Sequence, residues 1–381
     1  MTTQHALERG RRVLVIGTFD PATPRARQWF RLLERLECDV EVKNVGSWGS
    51  DRASGSAASP AKMLLKALRS LPRAVLYLLR CRRPDVVVFL YPGHLDACVL
   101  GPIARLRRIP AVLDVFISLY DTAVVDRGLR STRSPVAFAT RALDILACWS
   151  VRTVVVDTPE HADFFARFTH RARSRFAVLW VGAEELRFIT ADDPGDDAPI
   201  LWYLTYIPLH GFETVARAAA HLGDDDRTFR LIGNGQQRPE AEKLAQELGL
   251  TNVEFVDQIP EAELPAEIAR ASICLGVFGT SDKAARVVPN KVFQCAAAGR
   301  AVITAATPAV INAFGDALVT VPVGDPSALA AAIRDLRGPE RLAVAARARA
   351  TFEQRYSEAA LADDLGAILA STIANRRHEV A

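Results

Sequence analysis

The 381-residue sequence contains no apolar run long enough to cross a membrane, and its longest runs, such as residues 86–91, have the length of a strand. It also lacks the apolar leader of a secreted protein. Residues 1–12 are polar and charged, and the first apolar run, residues 13–17, is short. We therefore expect a cytoplasmic protein.

Cysteine pairs and metal-binding clusters are missing as well. The six cysteines stand singly, no CxxC pair occurs, and no group of His and Cys has the spacing of a zinc site. We expect reduced thiols and no bound metal. Nothing in the sequence predicts a nucleic acid partner.

Charge is unevenly distributed along the chain, although its net value is only +3. Up to Thr190 the sequence has 29 Lys and Arg residues against 18 Asp and Glu, a net charge of +11. The remainder has 18 against 26, a net charge of −8. A basic first half suits an anionic partner, either an acidic acceptor or an anionic membrane face.

Short apolar runs alternate with amphipathic helical segments along the whole chain. The runs are continuous in Val, Ile and Leu, which is typical of strands covered on both faces. Strands that alternate with helices indicate βαβ units and a parallel sheet. The sequence therefore predicts an α/β protein with two Rossmann-like domains whose parallel sheets face an interdomain cleft.

An acidic segment with two prolines and a glycine, residues 191–199, has the composition of a linker. We place an N-terminal domain at residues 1–192 and a C-terminal domain at residues 193–355. Residues 356–381 form a helix that we expect to pack back toward the first domain. Residues 51–60, rich in Ser, Ala and Gly, predict a flexible loop.

The most informative stretch is residues 275–307, LGVFGTSDKAARVVPNKVFQCAAAGRAVITAAT. A predicted strand is followed by a loop with three cations and by a helix that opens at Pro289-Asn290. A helix start offers free N–H groups and a partial positive charge, which attract phosphate. A solvated basic loop before an ordinary helix would give the same pattern, so the residues alone leave both interpretations open.

The segment PNKVFQCAAAGRAVITAATPA resembles the signature of family 4 (group 1) glycosyltransferases with the GT-B fold. The segments YIPLHGFETVARAA and LIGNGQQRPEAEKLAQELGL also resemble parts of that family. The resemblance covers nearly all of residues 200–323 and is looser in the first half, where it includes TVVVDTPEHADFF and LWVGAEELRF.

The resemblance implies a retaining, metal-independent transferase that takes a sugar from a nucleoside diphosphate sugar, with no separate cofactor. Basic side chains and a helix start neutralise the leaving diphosphate in such enzymes. The acceptor would be a sugar, a lipid or a small molecule. Lys291 is then a candidate for both catalysis and donor binding. The donor-binding candidates, from the resemblance and from the cations beside the helix start, are His210, Gly233, Gly235, Lys283, Arg286, Pro289, Asn290, Lys291, Val292 and Gln294.

The sequence departs from this family at four positions. The two glutamates of the family's E-x7-E pair would fall on Arg286 and Gln294, and its phosphate-binding cations on Thr205 and His210. Gln294 can still accept a hydrogen bond from a hydroxyl. His210 can donate to phosphate, more strongly when protonated.

The first half carries polar candidates at the carboxyl ends of predicted strands, the edge that faces the ligand in this fold. Asp121 is a candidate base toward the attacking hydroxyl, and His94 is a candidate base or acceptor contact. For each, a purely structural loop role stays open. The further acceptor-binding candidates are Gly17, Thr18, Tyr91, Asp114, Ser118 and Tyr120.

Residues 61–83 contain seven basic residues and no acid. They predict an amphipathic helix with a break at Pro72. Such a helix can lie on an anionic membrane, in which case the protein is peripheral at the inner face. It can equally be a core helix with a basic outer face, and both interpretations remain open.

Three alternatives to an ordinary glycosyltransferase remain at this stage. One is a pseudo-glycosyltransferase on the same fold, and another is a non-catalytic partner of an active transferase. The third, an NAD-dependent dehydrogenase, would need a full GxGxxG fingerprint, whereas the turn at Gly233 has only Gly-Asn-Gly.

Overall fold

A computed structural model describes residues 7–46, 60–122, 133–223 and 227–374, with the side chains of residues 60–68 left out. The chain divides into two compact units, one of residues 1–181 and 358–381 and one of residues 182–357. The predicted loop at 51–60 lies almost wholly outside the described residues. Each unit is an α/β layer structure with one sheet.

The first unit holds a six-stranded parallel sheet in the order β2-β1-β3-β4-β5-β6. Its strands are β1 (Arg12–Thr18), β2 (Asp39–Gly46), β3 (Val86–Phe89), β4 (Ala111–Phe116), β5 (Thr153–Val156) and β6 (Phe176–Val178). Its helices are α1 (Pro24–Arg35), α2 (Pro60–Arg80), α3 (His94–Leu106), α4 (Pro135–Ser150), α5 (Pro159–Thr169) and α13 (Glu358–Ala374).

The second unit holds another six-stranded parallel sheet, in the order β12-β11-β10-β7-β8-β9. Its strands are β7 (Ile200–Tyr203), β8 (Phe229–Ile232), β9 (Val253–Val256), β10 (Ile273–Leu275), β11 (Ala301–Ala305) and β12 (Val319–Val321). Its helices are α6 (Phe212–Leu222), α7 (Arg238–Glu247), α8 (Leu264–Ala269), α9 (Asn290–Ala297), α10 (Pro308–Phe314), α11 (Pro326–Asp335) and α12 (Gly338–Arg355).

These sheets confirm the predicted α/β class with two Rossmann-like halves. The central strands are buried along their whole length, as β3 and β11 show, because helices cover both faces. The register of the central pairs is regular, so that the carboxyl ends of neighbouring strands come together at one edge of each sheet. That edge is where the candidate residues lie.

The C-terminal helix α13 belongs to the first unit, although the second unit separates it from the rest of that unit in sequence. It packs on α1, where Arg31 Nε donates to Glu358 Oε1 at 2.6 Å. Near its end, Thr372 Oγ1 lies 2.8 Å from Thr153 Oγ1 at the start of β5.

The predicted break at Pro72 is wrong, because α2 continues through that residue. A proline inside a helix costs about 3 kcal/mol through its missing N–H and its clash with the preceding turn. Burial of Leu71 and Leu78 contributes roughly 1.5–3 kcal/mol each, which offsets that cost. The proline ring itself faces solvent.

Two elements of the second unit are short. Residues 315–317 form a single 3-10 turn, and β12 begins after it at Val319. Helix α8 has six residues. Among the described helices, none has both the length and the apolar character needed to cross a membrane.

Candidate functional site

The turn after β1 is fixed by a buried carboxylate on α3. Asp96 Oδ2 accepts a hydrogen bond from the amide of Thr18 at 2.8 Å, and Oδ1 lies 3.4 Å from its hydroxyl. Gly17 has φ +132°, and a Cβ there would come within 2.9 Å of the Asp96 carboxyl. Glycine is therefore required at this position. Burial raises the pKa of Asp96 to about 6, against the lowering effect of the bonds from Thr18.

Asp114, at the end of β4, is held entirely by side chains of α1. Its carboxylate accepts from Arg25 Nε at 2.9 Å, Arg25 Nη2 at 2.8 Å and Trp29 Nε1 at 2.8 Å. Both members of the ion pair are buried. Because removing one partner of a buried pair leaves an uncompensated charge, we assign Asp114 a positioning role in place of direct contact with an acceptor.

The loop after β4 is organised by Asp144, a residue of α4. Its Oδ2 accepts from the Ser118 hydroxyl at 2.6 Å and from the Tyr120 amide at 3.1 Å, and its Oδ1 accepts from the Leu119 amide at 3.2 Å. The Ser118 hydroxyl in turn accepts from the Asp121 amide at 2.9 Å. Two candidate residues, Ser118 and Tyr120, are thus tied directly to one carboxylate, and Asp121 is tied to it through Ser118.

His94 begins α3 and is fully buried beside the same carboxylate. Its Nε2 lies 3.3 Å from Asp144 Oδ1. Burial lowers the pKa of His94, although the negative charge of Asp144 opposes this. Burial likewise raises the pKa of Asp144. The imidazole is therefore biased toward its neutral form, which is the form that a general base needs.

Aromatic rings pack near His94. Tyr91 makes edge contacts with His94, at a centroid distance of 6.1 Å, and with Phe116, at 5.7 Å. The Arg25 guanidinium lies 5.3 Å from the Phe116 ring centroid. Asp121, five residues after Phe116, is also buried, at 3% exposure.

Sequence reasoning missed Asp144, although a signal was present. The segment PVAFATRALDILACWS forms α4, and Asp144 is its single acid, placed among apolar residues. A buried acid in such a helix needs partners, and the loop 118–121 supplies them. The structure brings Ser118, Tyr120, Asp121 and His94 together around this residue.

In the second unit, the start of α9 presents backbone N–H groups. Pro289 stands at the N-cap with an extended backbone, and no side chain caps the helix. The Pro289 carbonyl accepts from the Val292 amide at 3.0 Å, but the proline side chain supplies no hydrogen-bond acceptor for the N–H groups that follow it. The first N–H groups of α9, at Asn290 and Lys291, are therefore available to an anion. Val292 follows them, fully buried.

Lys291 is the most unusual side chain of this unit. It is only 5% exposed, and its Nζ has no hydrogen-bond partner within the part of the chain that the structure describes. The ammonium lies 5.5 Å from the ring centroids of both Trp202 and Tyr203. Burial lowers the pKa of Lys291 to about 7, and the Cys295 thiol only partly opposes this. An orphaned buried cation of this kind requires an explanation.

His210 lies beside this lysine and is buried as well. The Thr205 amide donates to its Nδ1 at 3.4 Å, and its ring makes an edge contact with Trp202. Burial, reinforced by the charge of Lys291, lowers the pKa of His210 well below its ordinary value. The neutral form is therefore favoured, and the neutral ring can donate only through Nε2 because Nδ1 accepts from Thr205.

Gln294 is already engaged within the protein. Tyr203 Oη donates to its Oε1 at 2.7 Å, so that the hydroxyl that this oxygen accepts belongs to the protein itself. The oxygen keeps a second lone pair, and the amide nitrogen can donate, so that both atoms can still meet a ligand.

The glycines after β8 have a packing role. Gly233 has φ +140°, and a Cβ there would lie 1.9 Å from the carbonyl oxygen of Leu204. A Cβ on Gly235 would lie 1.8 Å from the carbonyl oxygen of Thr205. Both glycines are thus required by the backbone of the neighbouring loop.

The two remaining cations lie on the segment before α9. Lys283 is buried and precedes a 3-10 turn that ends at Arg286, which is half-buried. Their contact with a donor stays a prediction. Within the described residues, no group of three His, Cys, Asp or Glu side chains is arranged to hold a metal ion.

Comparison with known proteins connects the second unit to a family. Residues 199–338 match the model of the family described as Glycosyl transferases group 1. The colanic acid biosynthesis glycosyl transferase WcaI of Escherichia coli is 33% identical over 147 residues, which are 38% of this chain and 35% of that protein. The 2-deoxystreptamine glucosyltransferase of Streptomyces kanamyceticus is 25% identical over 332 residues, 79% of each chain.

Solved structures share the fold of the whole chain. The Anabaena protein Alr3699/HepE in complex with UDP has a TM-score of 0.68 at 14% identity, covering 95% of this chain and all of that one. The sucrose-phosphate synthase of Thermosynechococcus elongatus has a TM-score of 0.73 at 17% identity, covering 96% and 100%. At these identities the likeness concerns the fold, and it confirms the predicted GT-B architecture.

Proposed function

We propose that this chain, a member of the group 1 glycosyltransferases, moves a sugar from a nucleoside diphosphate sugar to an acceptor hydroxyl with retention at the anomeric carbon. The second unit binds the donor and the first unit binds the acceptor. The observation that carries the proposal is the orphaned buried ammonium of Lys291 at the uncapped start of α9. The membership of this chain in family 4 of the group stays a prediction.

Lys291 fits an anion because nothing in the described part of the protein neutralises it. A diphosphate placed against the α9 start receives backbone N–H donors and the partial charge of the helix, and Lys291 adds a full charge. The ammonium is protonated when the anion arrives, because an opposite charge at a few ångströms raises a lysine pKa. Solved complexes of Alr3699/HepE with UDP and with UDP-glucose support a nucleotide donor for this fold.

The reaction breaks the bond between the anomeric carbon and the diphosphate oxygen, and the electron pair leaves with the diphosphate. Negative charge therefore grows on that oxygen in the transition state, where the α9 start and Lys291 stabilise it. The acceptor hydroxyl oxygen forms the new bond on the same face of the sugar. Its proton goes to a base of the first unit, for which Asp121 is our candidate. This scheme uses no metal ion.

On the acceptor side, Asp144 holds the loop 118–121 and sets the environment of His94. The Ser118 hydroxyl and the amides of residues 119–121 are all committed to internal bonds. We assign Asp144 and Ser118 to positioning, and we retain Asp121, His94 and the Tyr120 ring as the groups that meet the acceptor.

The test combines ligand binding with turnover. A thermal-shift series with UDP-, GDP- and dTDP-sugars should give a rise in melting temperature for one nucleotide, because a ligand that binds only the folded state stabilises it. Hydrolysis of that donor, or transfer to an added acceptor, should follow. No shift with any of these nucleotides would overturn the donor assignment.

Lys291→Ala should weaken binding of that nucleotide by at least about tenfold, the loss expected for one charge-assisted contact. Lys243→Ala is the matched control, since Lys243 is an exposed lysine of the same unit. If the nucleotide binds but no sugar is transferred or hydrolysed under any condition, the chain is the non-catalytic partner of an active transferase.

A further inference from the structure

A cavity of about 680 Å³ opens in the first unit at the edge of the sheet opposite the candidate acceptor residues. Its walls include the starts of β4 and β5, whereas the candidate site follows the carboxyl ends of the strands. The volume lies within the range of roughly 300–1,000 Å³ that small-molecule sites occupy. Nothing in the proposed reaction uses this cavity.

The charged residues that line the cavity are all arginines. They are Arg105, Arg108, Arg152, Arg171 and Arg175, and no Asp or Glu lines the same wall. Salt bridges to four of them, Arg105, Arg108, Arg171 and Arg175, are absent from the part of the chain that the structure describes. The positive charge of these four side chains is therefore not neutralised by the described side chains.

Part of this charge has a structural use. Arg171 donates to the carbonyl oxygens of Cys148, Val151 and Arg152 at the end of α4. A helix carboxyl end carries roughly half a negative charge, and the ends of α3 and α4 both reach the cavity, which gives about −1 in total. The four guanidinium groups without a salt bridge in the described structure exceed that by about three charges, so helix capping does not account for the cluster.

The arginines also repel one another. Burial lowers the pKa of Arg171 to about 10, and the charges of Arg175 and Arg105 add to the lowering. Beside them Trp149, half exposed, lies 5.8 Å below the Arg171 guanidinium and supplies a flat apolar wall. An anion in this cavity would relieve the repulsion.

We propose that this cavity binds a phosphate monoester, with Arg105, Arg108 and Arg175 as its ligands. A phosphate monoester carries nearly two negative charges at neutral pH and three acceptor oxygens, which match several guanidinium forks. The same group occurs on a free phosphorylated metabolite and on the headgroup of an anionic lipid. This inference does not depend on the donor site in the second unit.

Glycerol 3-phosphate presents the phosphate monoester in soluble form, and phosphatidylcholine vesicles that contain phosphatidic acid present it in lipid form. Vesicles of phosphatidylcholine alone, whose phosphate is a diester, are the control. We expect the wild-type protein to bind at least one of them, more weakly at high salt. The double variant R108A/R175A removes two guanidinium groups with no salt bridge in the described structure and should weaken binding by at least about tenfold. The variant R35A/R82A, two exposed arginines of the same unit, is the charge-matched control.

Binding of glycerol 3-phosphate that R108A/R175A weakens would identify a soluble ligand. Binding confined to vesicles that contain phosphatidic acid, and weakened by the same variant, would identify a lipid headgroup. K291M should leave either binding unchanged, which separates this cavity from the donor site. The proposal is overturned if neither probe binds, or if R108A/R175A and R35A/R82A bind equally while both keep the wild-type melting temperature.

Discussion

The replacement of Lys291 by Met should stabilise the protein, and the gain should depend on pH in a way that only a buried lysine explains. Methionine keeps the length of the side chain and removes the charge. In the folded protein the pKa of Lys291 is lowered to about 7 by burial, from 10.5 for a free side chain. Between these two values the unfolded chain binds more protons than the folded one, so folding releases a proton.

The free energy of unfolding of the wild type therefore rises with pH across this window. With these pKa values, the ionisation of Lys291 costs the folded state about 4 kcal/mol at pH 7 and about 1 kcal/mol at pH 10. The difference in stability between K291M and the wild type should thus shrink by roughly 3 kcal/mol between these pH values. Changes in packing affect both pH values equally and cancel in this comparison.

Urea unfolding followed by circular dichroism, at pH 7 and pH 10, measures the difference in unfolding free energy between K291M and the wild type. Lys243→Met is the matched control, because Lys243 is 76% exposed and its pair with Glu247 on α7 contributes about 0.3–0.5 kcal/mol. The difference in unfolding free energy between K243M and the wild type should hardly change with pH. If the difference for K291M is the same at both pH values, Lys291 is not an ionisable buried group and the reasoning fails.

Two further predictions concern internal contacts. Asp144→Asn leaves one acceptor oxygen, whereas the Ser118 hydroxyl and two amides need two. We therefore expect the free energy of unfolding to fall by about 1–3 kcal/mol and the KM for the acceptor to rise, with nucleotide binding unchanged. Asp163→Asn, on the surface, is the control, and an unchanged KM would remove Asp144 from the acceptor side. Tyr203→Phe deletes the hydrogen bond to Gln294 and should cost about 1 kcal/mol, measured by urea unfolding, whereas an unchanged midpoint would show that this bond contributes nothing.

The alternation of apolar runs and helical segments was sufficient to predict the architecture, because parallel strands buried on both faces have a recognisable pattern. Pro72 shows the limit of local reasoning. The cost of a proline in α2 is local, but the burial that offsets it depends on residues of other elements. A short window of sequence therefore does not reveal how much burial offsets the cost of the proline.

The sequence predicted the positions of the candidate site residues better than it predicted their roles. Lys291 and His210 were correctly placed near a helix start and a loop, but their lowered pKa values come from burial by distant residues. Asp144 pairs with a loop 24 to 26 residues away, and Gln294 accepts from a tyrosine 91 residues away. Such side-chain pairs depend on the tertiary arrangement, which the order of residues does not reveal directly.

Proton uptake on donor binding tests the central claim most directly. At pH 8 a lysine with a pKa of about 7 is roughly one-tenth protonated, and a bound diphosphate restores its charge, so that about 0.9 proton should be taken up. Calorimetric titration of the nucleotide sugar in two buffers of different ionisation enthalpy measures this number. Uptake near one proton in the wild type and in K243M, and near zero in K291M, is the predicted result. Equal uptake in the wild type and K291M would contradict the account.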